Sequence, residues 1–138
     1  MPAGSRAIDL LVIHHTASPR TASVEEIARW HARRGMKGIG YHHVIGADGV
    51  LRPGHELERP GAHARGYNLH SIGLCVVGDN TRPEHAWLDA QIESLLVYVQ
   101  WFRTFFPRAL VLGHRDLAGA STLCPGLDVS KLLERRAA

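Results

Sequence analysis

The run Ser71-Ile72-Gly73-Leu74-Cys75-Val76-Val77 is apolar at alternate positions on both of its faces. A strand of that kind has no side suited to water, so it needs cover above and below. Ile8 to Thr16 reads as a second strand of β-branched and leucine residues. Alternation sends Leu10, Val12 and His14 to one face, and Leu11, Ile13 and His15 to the other. Gly40 to Ile45 and Val50-Leu51-Arg52 flank Ala47-Asp48-Gly49, an Asp-Gly hairpin signal. Ala109 to Leu112 is a short strand leading into His114.

Helical segments fall between these strands. Ser23-Val24-Glu25-Glu26 fits a capping box; Ile27, Trp30 and Arg34 follow at helical spacing, and Gly35 ends the helix. Pro83 is expected to open a long amphipathic helix with a stripe of Leu88, Ile92, Leu95, Leu96, Val99 and Phe102, ended by Pro107. Asp128 can cap a last helix, Val129 to Arg135. Pro53 to Asn68, rich in Gly, Pro, His and Arg, reads as a long surface loop of the functional kind. Trp30 and Trp101 fall on helical stripes as core residues, and Trp87 reads as exposed. The order β-α-β-β-loop-β-α-β-loop-α predicts an α/β fold: one domain over residues 1–138, its core from about 8 to 135, with a central mixed sheet flanked by helices.

The chain has 138 residues, 45% of them hydrophobic, enough for one buried core. A net charge of +3, with basic residues scattered apart from Arg33-Arg34 and Arg135-Arg136, forms no nucleic-acid stripe. No stretch approaches a membrane span, and no signal peptide is seen, so synthesis in the cytosol and exit by another route are expected. Two cysteines are too few for a disulfide framework. Cys75 reads as core, whereas Cys124 lies among Ser, Thr and Pro. Ten histidines favour metal or acid–base chemistry.

His14 ends the first strand, His114 follows the last, and Cys124 lies on the loop beyond. Carboxyl ends of strands are where α/β sheets place chemistry. Imidazole and thiolate are zinc ligands, and three protein ligands leave a fourth position open, as in hydrolytic sites. Alternation prevents His14 and His15 from serving one metal together. A nucleophilic pair of Cys124 with His114 or His42 is a further possibility. His114-Arg115-Asp116 matches a kinase triplet, but the chain is too short for a kinase and has no glycine-rich loop.

The elements Gly40-Tyr41-His42, His63-Ala64-Arg65-Gly66-Tyr67-Asn68 and Ser71-Ile72-Gly73 appear in that order. With them the chain resembles the zinc-dependent N-acetylmuramoyl-L-alanine amidases, more closely the T7-type phage lysozymes and their relatives, the peptidoglycan recognition proteins. The likeness runs from about Asp9 to about Leu133. It implies Zn²⁺ held by His14, His114 and Cys124, with His14 chosen over His15. It implies catalytic roles for Tyr41 and for Thr122, which stands where phage enzymes carry lysine. It implies hydrolysis of the bond between N-acetylmuramic acid and L-alanine in peptidoglycan, with Tyr41 and Thr122 as oxyanion donors. His63 and Asn68 are expected at the rim, touching stem peptide or glycan. His43, His55, His70 and His85 are read as surface or structural.

The expected protein is a monomeric endolysin needing neither nucleic acid nor membrane. Absence of a wall-binding module favours a thin, accessible wall. Two other readings are a non-catalytic peptidoglycan-binding module and a cytosolic amidase that recycles wall fragments. Binding-only relatives commonly lose the zinc cysteine, and Cys124 is present.

Overall fold

The computed structural model describes residues 3–137, with side chains as far as residue 134. The side chains of Arg135 and Arg136 lie outside the described residues. The elements are β1 (Leu10–His15), α1 (Val24–Arg33), β2 (His43–Ile45), β3 (Leu51–Pro53), β4 (Ser71–Val76), α2 (Asp89–Phe105), β5 (Leu110–Gly113) and α3 (Val129–Ala137). They follow the order expected from the sequence.

The five strands form one mixed sheet in the order β3-β2-β4-β1-β5. β1 pairs in parallel with β4 and with β5, β2 in parallel with β4, and the β2–β3 hairpin is antiparallel. Hence β1 and β4 are interior strands, as their two-sided apolar runs require. His14 lies opposite Cys75 across the β1–β4 register.

The two faces are covered differently. Leu11, Ile13, Ile72, Leu74 and Val76 pack against Leu95, Val99 and Phe102 of α2 and Val129 and Leu132 of α3. On the other face, Val44, Cys75 and Val77 meet Ile27 of α1. Beside them Leu10 and Val12 are covered by Ala64 and Leu117, which belong to loops. His14 lies on this loop-covered side. A sheet face roofed by loops leaves room for a cleft that a helix would fill.

Local capping follows the sequence at α1. Ser23 Oγ accepts the Glu26 N–H at 3.1 Å, and Glu26 Oε1 accepts the Ser23 N–H at 3.2 Å. Asp128 Oδ1 accepts the Lys131 N–H at 3.2 Å at the start of α3. The second helix departs from expectation. Pro83–His85 is a single 3-10 turn, and α2 begins at Asp89. The reason lies in Asp79 and Asn80: the Asp79 N–H donates to the His85 carbonyl, and Asn80 Oδ1 accepts the Trp87 N–H at 3.0 Å. Those bonds hold the segment against the end of β4 and prevent continuous helix. Gln91 then caps α2, its Oε1 accepting the Leu88 N–H at 2.9 Å. Leu88, expected in the buried stripe, is 42% exposed, and Gln91 is buried in its place. Trp87, read as exposed, is buried, and its indole N–H donates to the Val76 carbonyl at 3.1 Å.

Candidate active site

β1, β4 and β5 run parallel, so their carboxyl ends open on one side of the domain. His14 arrives there from β1. His114 follows β5 directly, on the 3-10 turn His114–Asp116. Cys124 is folded back onto that turn by a backbone bond, the Arg115 N–H donating to the Cys124 carbonyl at 2.7 Å. Gly113 permits the approach: a Cβ there would sit 2.8 Å from Pro125 Cδ. The His15 N–H also points to Cys124 Sγ at 3.4 Å. Thus the backbone of one strand and one turn carries both loop-borne groups to His14.

One ligand atom from each of His14, His114 and Cys124 lies within 4.8 Å of the others. His14 Nδ1 is 3.7 Å from Cys124 Sγ, and the His14 and His114 ring centroids are 4.8 Å apart. Tetrahedral zinc with ordinary Zn–N and Zn–S bonds places such atoms about 3.5 Å apart. The cluster therefore fits a metal of that size with small side-chain rotations. His15, as alternation requires, points away, its Nδ1 accepting the Asn80 N–H at 3.2 Å.

Electrostatics suit neutral nitrogen donors. Burial holds the His14 pKa well below the ordinary histidine value, and the neighbouring His63 and His114 add to the effect. Burial lowers His114 as well. The Cys124 thiol is pushed up to about 11 by burial. A bound dication reverses that last preference, because coordination deprotonates a thiol.

Tyr41 lies beside the cluster, its ring 5.0 Å from His14 and 5.2 Å from His31. Burial, helped by Cys75 and Cys124, raises its pKa well above the usual phenol value. It is therefore a neutral O–H donor. Thr122 is exposed, and its Oγ1 accepts the Cys124 N–H at 3.1 Å. A hydroxyl used that way still has its own hydrogen to donate. Thr122 and His114 line a cleft of about 590 Å³ together with Arg65, Tyr67 and Leu117. Among the described residues, Arg65 is the one charged side chain in that lining.

Two expected rim residues stand elsewhere. His63 is buried behind His14, with Nδ1 2.9 Å from His14 Nε2 and Nε2 3.1 Å from Ser71 Oγ. Burial, then His42, pushes its pKa down to about 3. Asn68 spends its Oδ1 on the backbone N–H groups of His63 and Ala64, both at 3.0 Å. That is local turn chemistry, and it clamps the loop that carries His63.

Sequence reasoning passed over His31 and weighed His42 only as a partner for Cys124. His31 Nδ1 accepts the Gly40 N–H at 2.8 Å and so fixes the segment that presents Tyr41. His42 Nδ1 accepts the Gly73 N–H at 3.0 Å, and its Nε2–H donates to the Arg59 carbonyl at 2.9 Å. With both nitrogens engaged, His42 has no free lone pair to act as a base for Cys124.

The sequence profile described as N-acetylmuramoyl-L-alanine amidase matches residues 4–127. The chain belongs to the N-acetylmuramoyl-L-alanine amidase family. It is a hydrolase of the amide bond between N-acetylmuramic acid and L-alanine in peptidoglycan. The endolysin of Escherichia phage T7 is 30% identical over 132 residues, covering 92% of this chain and 86% of its own. A peptidoglycan-recognition protein of Drosophila melanogaster is 31% identical over 144 residues, covering 98% of this chain and 78% of its own. Among solved structures, the Ph2119 endolysin from the Thermus scotoductus MAT2119 bacteriophage superposes with a TM-score of 0.78 at 28% identity, over 94% of this chain and 84% of its own.

Proposed function

We propose that this amidase is a zinc enzyme of the phage endolysin type, with His14 Nδ1, a His114 nitrogen and Cys124 Sγ as the metal ligands. The observation that carries the reading is the meeting of those three donors beside an open cleft. Zinc bound there would supply Lewis-acid polarisation of the amide carbonyl and activation of water.

The chain's own residues complete the chemistry. Tyr41 and Thr122 are the oxyanion donors: both carry an O–H near the ligand cluster, and the Tyr41 hydroxyl, paired with the Cys75 sulfur, turns from it to the substrate oxygen. The cleft bearing Arg65 receives the stem peptide, whose carboxylates suit a cleft with one cation and no acid among its lining residues. His114, a proposed metal ligand, is itself part of the lining of that cleft. The T7 and Ph2119 relatives named as endolysins support a wall-lytic role.

The test is release of new L-alanine amino termini from purified peptidoglycan, with and without a chelator. Chelator-sensitive release is expected, and no release by the zinc-loaded protein refutes the reading. Cys124→Ser should lower bound zinc well below one equivalent; full retention would mean that the ligand set is wrong.

A further inference from the structure

The ring of His63 touches no part of the substrate cleft. It stands between a proposed metal ligand and a strand, and its two nitrogens each have one partner. We propose that His63 is a positioning residue which, backed by Ser71, holds His14 in the one tautomer able to bind the metal. The inference rests on the zinc reading above.

The argument is one of proton placement. His14 Nδ1 faces Cys124 at 3.7 Å, and Nε2 faces His63 at 2.9 Å. A neutral imidazole carries one proton, and the nitrogen that bears it cannot ligate. If Nδ1 is to ligate, the proton must sit on Nε2. His14 Nε2–H then donates, and His63 Nδ1 accepts. The proton of His63 is thereby assigned to Nε2, from which it donates to Ser71 Oγ at 3.1 Å. Each link fixes the next, as in the histidine–acceptor pairs that support metal ligands elsewhere.

Burial makes the acceptor hard to replace. Ser71 is fully buried and His14 is 2% exposed, so bulk water does not reach the pair. Without His63, the Nε2–H of His14 would lie unpaired in a dry site. Moving that proton to Nδ1 would block the ligating nitrogen.

The strand beneath is shaped for the ring. A Cβ on Gly73 would stand 2.5 Å from His63 Cγ and 2.7 Å from both Cδ2 and Nδ1. No common side chain other than hydrogen leaves that space. Glycine inside a strand weakens it, so close approach by another group accounts for its use here. Asn68 holds the backbone of His63 from the other side.

Zinc affinity measured against a competing chelator tests this without reference to activity. His63→Leu keeps bulk but removes the acceptor, and it should weaken zinc binding about 10- to 100-fold. His63→Asn places an amide oxygen near the position of Nδ1 and should restore most of that loss. Wild-type affinity in His63→Leu, or an equal loss in His63→Asn, overturns the proposal. Should His63→Leu fail to fold, nitrogen-15 spectra of the zinc-loaded wild type decide. His14 and His63 should both carry their proton on Nε2, and a proton on Nδ1 of either overturns it. A wild-type protein with no zinc affinity would sink the metal reading itself, a result distinct from either outcome.

Discussion

His42 makes the metal-free fold sensitive to mild acid. Its imidazole is 1% exposed, and burial pushes its pKa down to about 4, partly opposed by its bond to the Arg59 carbonyl. In the unfolded chain the value returns to about 6.5. Above that pH neither state binds a proton, and His42 contributes nothing pH-dependent. Below it the unfolded state takes up a proton that the folded state refuses, so stability falls as pH drops from about 6.5 towards 4. At pH 5 the unfolded histidine is almost fully protonated and the folded one about a tenth so, which amounts to about 2 kcal/mol. The assay is urea unfolding at pH 7.5 and pH 5, with chelator present, for the wild type and for His42→Asn. The asparagine does not titrate, and its oxygen can still accept the Gly73 N–H. Every other group that titrates is common to both proteins. The wild type should therefore lose about 2 kcal/mol more than the variant between the two pH values. Equal losses would refute the argument that burial of His42 contributes to the acid sensitivity.

Other outcomes follow from the same contacts. Thr122→Val should leave zinc content unchanged and lower kcat about a hundredfold through loss of an oxyanion donor, whereas an unaltered kcat would remove Thr122 from the mechanism. Asn68→Ala should cost about 1–3 kcal/mol in urea unfolding, because two backbone N–H groups lose their acceptor. The KM of that variant for soluble peptidoglycan fragments should not move; a raised KM at unchanged stability would mean that Asn68 contacts substrate. Trp87→Phe should destabilise by about 1 kcal/mol as the Val76 carbonyl loses its indole partner, and wild-type stability would show that bond to be without net effect.

Much of the fold was legible because it depends on periodicity. The two-sided apolar runs of β1 and β4 required interior strands, and the Ser23 and Asp128 caps marked where two helices begin. The start of α2 was not legible. Pro83 is a valid helix opener by itself, but long-range bonds from Asp79 and Asn80 hold the next residues in another shape. At the site, His14, His114 and Cys124 were found by motif and strand alternation, and the geometry brings them together. His63 was misplaced because a histidine in a loop sequence reads the same whether it faces solvent or another buried histidine. The available clue was Gly73: a glycine inside an apolar strand signals that something packs where its side chain would be. His31 and His42 offered no such clue, since their partners are backbone N–H groups, which no side-chain pattern marks.

The brevity of β3 and β5 at the sheet's borders also governs how copies of the chain meet. β3 spans three residues and ends on Pro53, which has no N–H to offer an incoming strand. β5 spans four, and α3 packs beside it. Neither border presents the long row of free donors and acceptors on which foreign strands template. The apolar side chains there, Leu51 and Leu110, are exposed without an extended backbone ladder beneath them. Concentrated solutions of the folded protein are thereby guarded against fibre growth by sheet extension.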